Sequence, residues 1–128
     1  MNALKDEINV LIIDDCPEDR FVYKKFLHKN GEINFTIQEC ETGEGALELC
    51  KTYKPDCLLL DYDLPDMDGL EILSELSPLT FAVVMLTGEG TEQLVVQALK
   101  NGVQDYLVKE DLTRNILANS IYSAVKMF

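Results

Sequence analysis

Short apolar runs alternate with amphipathic stretches along this chain, and the runs predict β-strands. Residues 57–60 and 81–86 are apolar throughout, which is typical of parallel strands that are covered on both faces. Residues 35–40 alternate between apolar and polar positions, which favours a strand at the edge of a sheet with one wetter face. The five predicted strands cover residues 9–13, 35–40, 57–60, 81–86 and 105–108.

The stretches between the strands carry apolar residues at helical spacing. In the last stretch Leu117, Ile121 and Val125 recur every four residues, which places them on one face of a helix. Asp111 is expected to begin this helix as its N-cap. Pro55 is expected to end the second helix, because proline disfavours the helical conformation of the residue before it. The five predicted helices cover about residues 17–30, 46–53, 67–76, 91–100 and 111–128.

The alternation of five strands with five helices predicts a single α/β domain. The chain has 128 residues, the size of one ordinary domain, and no linker or internal repeat suggests a second unit. Right-handed crossovers with helices on both faces favour a doubly wound, flavodoxin-like parallel sheet of five strands in the order 2-1-3-4-5. We therefore expect residues 1–128 to form one domain, with no output domain in this chain.

The composition argues against several classes of partner and site. A formal net charge of −12 would repel nucleic acid and anionic membranes. The four cysteines include no C-x-x-C pair, and with the lone His28 they offer no zinc-ligand spacing. The N-terminus lacks the pattern of a signal peptide, and no apolar run approaches the roughly 18 residues of a membrane helix. We therefore expect a cytoplasmic protein that contacts neither nucleic acid nor membrane directly.

Chemically useful side chains follow the carboxyl ends of four predicted strands. Asp14 and Asp15 follow the first strand, Asp61 the third, Thr87 the fourth and Lys109 the fifth. In the predicted order these side chains meet at one edge of the sheet, where open α/β sheets bind ligands. Three carboxylates repel one another unless a cation offsets them, and Mg²⁺ binds through carboxylates, water and phosphate oxygens. Mg²⁺ is therefore the predicted cofactor, with Asp14 and Asp15 as ligands.

With the metal held by the acidic pair, Asp61 is available as a nucleophile. A carboxylate can accept a phosphoryl group as an aspartyl phosphate. The oxygens of that group carry negative charge, which the site has to neutralise. Mg²⁺, the Lys109 ammonium and the Thr87 hydroxyl would each contact one of these oxygens. The residues thus predict phosphorylation of Asp61.

Four motifs together make the chain similar to the receiver domains of two-component response regulators. They are the acidic pair at 14–15, Asp-x-x-Leu-Pro-x-Met-x-Gly at 61–69, Thr-Gly at 87–88 and Tyr-Leu-Val-Lys at 106–109. The resemblance covers essentially the whole chain. It implies the sheet order given above and a place in a phosphorelay, in which the chain is a phosphoacceptor signalling domain and not an enzyme.

The resemblance also implies roles for individual residues. A sensor histidine kinase or a histidine phosphotransfer protein would donate the phosphoryl group to Asp61. Asp61 and the backbone carbonyl of Asp63 would help the acidic pair to hold Mg²⁺. Thr87 and Tyr106 would form the switch, since Tyr106 would change rotamer when Thr87 moves. The fourth helix, the last strand and the last helix would then present an altered surface to a downstream target protein.

Two features depart from the common family pattern. Glu110 stands where family members commonly have proline after the lysine, often with a cis bond. Because a cis bond before a non-proline residue costs about 2.5–4 kcal/mol, we predict a trans bond between Lys109 and Glu110 and a reshaped loop into the last helix. Asp63 and Glu89 add negative charge beside the phosphorylation site, and we expect them to influence how water or a phosphatase reaches the phosphoryl group.

Other functions are compatible with parts of the sequence. Asp61 and Asp63 match the two aspartates of phosphatases of the haloacid dehalogenase type, but Pro65 stands where Thr or Val belongs. Residues 64–75 match part of an EF-hand, yet Leu64 occupies the first ligand position. A phosphorylation-independent interaction module with the same fold is the main alternative. The cognate kinase, the target and dimerisation through the last helices stay open.

Overall fold

Five strands and five α-helices alternate over residues 6–31 and 33–128, the part of the chain that the computed structural model describes. The predicted alternation is confirmed. The strands are β1 (Asp6–Ile13), β2 (Ile33–Cys40), β3 (Cys57–Asp61), β4 (Ala82–Thr87) and β5 (Asp105–Val108). The helices are α1 (Pro17–Leu27), α2 (Gly43–Leu49), α3 (Gly69–Leu76), α4 (Glu92–Lys100) and α5 (Arg114–Met127), and a 3₁₀ helix at Lys109–Asp111 joins β5 to α5.

The strands pair in parallel in the order β2-β1-β3-β4-β5, as predicted. β3 and β4 lie inside the sheet and are buried at every position, which explains their uninterrupted apolar runs. β2 lies at an edge and largely alternates half-buried with exposed residues. Val10 pairs with Cys57, and Cys57 pairs with Ala82. The carboxyl ends of β1, β3 and β4 therefore finish side by side at one edge of the sheet.

Two apolar layers hold the helices against the sheet. Because successive strand residues point to opposite faces, Ile12 and Leu59 pack with α1 and α5 on one face, and Leu11 and Leu58 pack with α2, α3 and α4 on the other. Full burial of one such side chain stabilises the fold by about 1.5–3 kcal/mol. Tyr23 of α1 is buried in the first layer, and this contact turns one face of α1 toward the sheet.

The predicted end of the second helix is wrong. α2 ends at Leu49 and does not continue to about residue 53. The amides of Lys51 and Thr52 donate to carbonyls only three residues back, at 3.2 and 3.1 Å. The helical turn tightens there, so the apolar spacing that continues to Tyr53 belongs to a turn that packs on the core.

The predicted start of the last helix is also wrong. Asp111 is the last residue of the 3₁₀ helix, whereas the Thr113 hydroxyl accepts the backbone N–H of Ile116 at 3.1 Å. Thr113 is therefore the N-cap, and α5 begins at Arg114. The other boundaries agree with the sequence prediction to within about three residues.

The loop after β5 has the predicted backbone. The peptide bond between Lys109 and Glu110 is trans, and the chain enters α5 through the 3₁₀ helix.

In the described part of the chain, no helix combines the length and the apolar character needed to cross a membrane.

Candidate functional site

Three carboxylates meet at the carboxyl edge of the sheet, and we call them the acid cluster (Asp14, Asp15 and Asp61). Asp14 follows β1 and Asp61 ends β3, and the residues that precede them, Ile13 and Leu60, are paired across the two strands. One oxygen from each carboxylate lies within 4.8 Å of the others. Asp14 and Asp61 are only 1% and 3% exposed, whereas Asp15 is exposed. The acid cluster is thus a set of hard oxygen ligands that is open to solvent on one side.

Lys109 places its ammonium among these carboxylates. Its Nζ lies 3.1 Å from Asp14 Oδ2 and 3.2 Å from Asp61 Oδ2. A third carboxylate, from Asp19 in the first turns of α1, is 3.0 Å away. Each of the three hydrogens of the ammonium therefore has a carboxylate partner, and the positive charge partly offsets the repulsion within the acid cluster.

Asp14 is oriented by groups from α1. Its Oδ1 accepts the backbone N–H of Cys16 at 2.9 Å, and its Oδ2 accepts the Tyr23 hydroxyl at 3.0 Å in addition to Lys109. The Arg20 guanidinium donates to the backbone carbonyl of Asp14 at 2.6 Å. Donors on α1 and Lys109 therefore hold this carboxylate in one orientation before any ligand arrives.

Burial and neighbouring charges shift the ionisation of the site. Burial, together with the charge of Asp14, raises the pKa of Asp61 to about 6, and Lys109 opposes part of this rise. Burial alone would lower the pKa of Lys109, but the hydrogen bond that Lys109 donates to Asp19 and the charges of Asp61 and Asp14 raise it above its usual value. Burial and the Asp14 charge also raise the pKa of Tyr23. At neutral pH Asp61 is ionised, and Lys109 and Tyr23 keep their protons.

The loop from β3 to α3 is held at several points. The backbone N–H of Asp63 donates to Asp61 Oδ1 at 3.2 Å. The Asp66 carboxylate accepts the backbone N–H groups of Glu44 and Gly43 at the start of α2, at 2.9 and 3.0 Å, and these bonds lower the pKa of Asp66. Contacts to α2 thus anchor the segment that carries the Asp63 carbonyl.

Thr87 and Tyr106 lie at the same edge, but in contrast to Lys109 their hydroxyls have no bond to the acid cluster among the described residues. The Thr87 hydroxyl donates to the Glu89 carbonyl at 3.0 Å and accepts the Glu89 N–H at 3.3 Å. The Tyr106 hydroxyl is buried and finds no hydrogen-bond partner among the described residues. Burial raises the pKa of Tyr106, and the nearby Thr87 hydroxyl offsets part of that rise.

An open groove lies between Thr87 and α4. Its volume is about 640 Å³. The exposed residues Asp63 and Glu89 contribute to its lining. The groove therefore leads from solvent to the loop that follows β4.

The structure brings together four of the residues that the sequence singled out: Asp14, Asp15, Asp61 and Lys109. Thr87 and Tyr106 lie nearby, but the Thr87 hydroxyl bonds to Glu89, and the Tyr106 hydroxyl has no partner among the described residues. Sequence reasoning missed Asp19, Arg20 and Tyr23, although a signal was present. Asp19, Tyr23 and Leu27 recur every four residues, so an acidic side chain shares the helix face that packs on the sheet.

Known proteins resemble this chain over most of its length. The family model of the response regulator receiver domain matches residues 10–121. The chain is 33% identical to the chemotaxis protein CheY of Bacillus subtilis over 103 residues, which are 78% of this chain and 83% of that protein. It is 31% identical over 127 residues to the transcriptional regulatory protein NarL of Mycobacterium tuberculosis, which are 98% of this chain but 58% of NarL. The solved receiver domain of NarL has a TM-score of 0.83 at 31% identity and covers 94% of this chain and 98% of that one.

Proposed function

Because the chain belongs to the response regulator receiver domain family, we propose that it acts as the phosphoacceptor of a two-component or phosphorelay system. A sensor histidine kinase or a histidine phosphotransfer protein would supply the phosphoryl group, and Asp61 would receive it. The observation that supports this proposal most directly is the position of Asp61, a buried carboxylate at the sheet edge, 3.2 Å from the Lys109 ammonium and beside two further carboxylates.

The acid cluster fits Mg²⁺ by its chemistry. Three carboxylates offer closely spaced hard oxygen donors, and no thiolate or imidazole is among them, as a hard divalent cation requires. We propose Asp14, Asp15, Asp61 and the backbone carbonyl of Asp63 as its ligands. When bound, Mg²⁺ would neutralise charge on one phosphoryl oxygen.

In the proposed reaction Asp61 attacks the phosphorus of a phosphohistidine. A bond forms between an Asp61 carboxylate oxygen and phosphorus, the bond from phosphorus to the histidine nitrogen breaks, and the imidazole leaves with the bonding electron pair and takes up a proton. The Lys109 ammonium and a bound Mg²⁺ would both favour the ionised form of Asp61, which is the form that attacks. Lys109 would donate to one phosphoryl oxygen and neutralise part of its charge.

We propose that the phosphoryl group changes the loop after β4. To reach a phosphoryl oxygen, the Thr87 hydroxyl has to leave the Glu89 carbonyl that now accepts it. That carbonyl then becomes available to a new donor, and the Tyr106 hydroxyl, buried without a partner among the described residues, is the natural candidate. Movement of Tyr106 would alter the surface formed by α4, β5 and α5, to which a downstream target binds.

We propose further that residues 1–128 form one receiver domain that signals through protein contacts. NarL is named a transcriptional regulatory protein, and this chain matches little more than half of its length. For the chain itself, a net charge of −12 disfavours direct contact with nucleic acid. Autocatalytic phosphorylation and dephosphorylation would be its only chemistry, so no multiple turnover of a substrate is expected.

The test is labelling with a small phosphoryl donor. The protein and the variant Asp61→Asn are incubated with acetyl phosphate, with Mg²⁺ or with EDTA, and analysed by intact mass spectrometry. A single phosphoryl adduct that requires both Asp61 and Mg²⁺ is expected. A folded protein that stays unmodified, or equal modification of both proteins, would overturn the proposal and favour a phosphorylation-independent interaction module. Thermal melts of both proteins control for folding.

A further inference from the structure

Among the described residues, Lys109 has one carboxylate partner outside the acid cluster, and this partner comes from α1. Asp19 Oδ2 lies 3.0 Å from Lys109 Nζ, as close as the two contacts that Lys109 makes with Asp14 and Asp61. The Asp19 side chain is 39% exposed, so burial does not force this ion pair to form. The Lys109 ammonium is therefore shared between the acid cluster and a residue that has no place among the proposed metal ligands.

The position of Asp19 is fixed by its helix. One turn later on α1, Tyr23 is buried in the core and donates to Asp14. Next to Asp19, Arg20 donates to the Asp14 carbonyl and pairs with Glu39 of β2 at 2.9 Å. An aspartate side chain is short, and α1 is anchored on both sides of it. Asp19 therefore cannot follow Lys109 far if the ammonium moves toward a new partner.

We propose that Asp19 is a positioning residue that holds Lys109 in the unphosphorylated protein and competes with the phosphoryl group for it. This inference rests on the proposed function, in which Lys109 donates to a phosphoryl oxygen on Asp61. An ammonium has three hydrogens, and here all three face carboxylates. A phosphoryl oxygen can therefore gain a Lys109 hydrogen bond only if one carboxylate gives it up. Asp19 also adds a negative charge to a site that has to accept an anion.

The test compares Asp19→Asn with the matched control Glu18→Gln. Glu18 carries the same charge one position earlier on α1, and its carboxylate accepts the Cys16 thiol at 3.5 Å and not the Lys109 ammonium. Both variants and the unmodified protein are titrated with beryllofluoride, a mimic of the phosphoryl group, at saturating Mg²⁺. Partly exposed ion pairs change equilibria by about two- to fivefold. We expect Asp19→Asn to bind beryllofluoride tighter by about that factor, Glu18→Gln to stay near the unmodified protein, and Asp19→Glu to restore the weaker binding.

A second readout follows Lys109 itself, without metal or phosphoryl mimic. In ¹⁵N-edited NMR of the lysine side chains, Asp19→Asn should shift the Lys109 ammonium signal and speed its exchange with water, and Glu18→Gln should do neither. Equal effects of the two variants in both measurements, or weaker beryllofluoride binding by Asp19→Asn, would overturn the role of Asp19. Neither result would affect the proposed function. A protein that binds no beryllofluoride and accepts no phosphoryl group would overturn the proposed function as well.

Discussion

On the α1 side of Asp61, polar side chains are tied to one another across elements of the fold, whereas on the α4 side they bond within their own loop or not at all. Lys109 bridges Asp14, Asp19 and Asp61, and Tyr23 holds Asp14. Across the site, the Thr87 hydroxyl bonds to Glu89 two residues away, and the Tyr106 hydroxyl is unpaired within the described chain. The two sides thus differ in how many contacts would have to break before a side chain could move.

This difference assigns a separate task to each side. Charge stabilisation requires groups that are already oriented before the reaction, and the α1 side provides them. A switch requires groups that can exchange one set of contacts for another at small cost, and the α4 side provides these next to an open groove. We infer that a phosphoryl group on Asp61 would be stabilised mainly by groups on the α1 side. The conformational response to it would come mainly from groups on the α4 side.

The largest effect is expected from removing the cation of the α1 side. Lys109→Met should slow phosphorylation by acetyl phosphate about 100-fold, the scale of losing one preorganised donor to a transferring group. The same variant should bind Mg²⁺ more tightly, because the ammonium no longer competes for Asp14 and Asp61. Rates come from intact mass spectrometry and Mg²⁺ affinities from calorimetry.

Lys100→Met is the matched control, since it removes the same charge from α4. It should phosphorylate at nearly the rate of the unmodified protein. If both lysine variants lose activity to the same extent, the effect comes from overall charge and the comparison of the two sides fails.

The second effect is on stability and depends on pH. The pKa of Asp61 is raised from 3.8 to about 6 in the folded protein, so ionisation of Asp61 costs stability as the pH rises through this interval. Without Mg²⁺ at pH 7, Asp61→Asn should therefore raise the free energy of unfolding by about 1–3 kcal/mol. Urea unfolding across the pH range measures this.

At pH 4 the folded carboxyl is protonated and the unfolded one is about half ionised, so most of the gain from Asp61→Asn should disappear, and below about pH 3 all of it should. A gain that stays the same at pH 4 and pH 7 would show that it does not come from carboxylate repulsion at the acid cluster.

The two tyrosines of the site test the comparison directly. Tyr23→Phe removes a hydrogen bond to an ionised carboxylate and should lower the free energy of unfolding by about 1.5 kcal/mol. Tyr106→Phe removes a buried hydroxyl that has no partner in the described structure and should leave stability unchanged or raise it by up to about 1 kcal/mol. Denaturant unfolding of the two variants gives both numbers, and equal losses would contradict the distinction.

The smallest effect is expected in the groove on the α4 side. The carboxylates of Asp63 and Glu89 line this groove, and we expect water to approach a phosphoryl group on Asp61 from this side. Because a carboxylate accepts a hydrogen bond from an attacking water more strongly than a neutral amide does, neutralising both in Asp63→Asn with Glu89→Gln should slow dephosphorylation by about two- to fivefold, the scale of one modest hydrogen bond. Loss of the phosphoryl adduct is followed by mass spectrometry after the donor is removed, and an unchanged rate would remove this role.

Much of the fold could be predicted because its cause is local. The apolar runs of β3 and β4 predicted central strands, and the alternation in β2 predicted an edge. The helix ends were less predictable, since the chain offers several good capping residues near each other. Asp111 and Thr113 are both suitable N-caps, and the course of the chain after Lys109 selects Thr113.

The sequence by itself determined that Asp14, Asp15, Asp61 and Lys109 meet, because strand ends in a parallel sheet lie at one edge whatever the side chains do afterwards. Only the tertiary structure decided that Asp19 and Tyr23 join them, because the rotation of α1 against the sheet depends on how its buried face packs. It also decided that the Thr87 hydroxyl bonds to Glu89. A rotamer is selected by the surrounding atoms, and those come from parts of the chain that the local pattern does not connect.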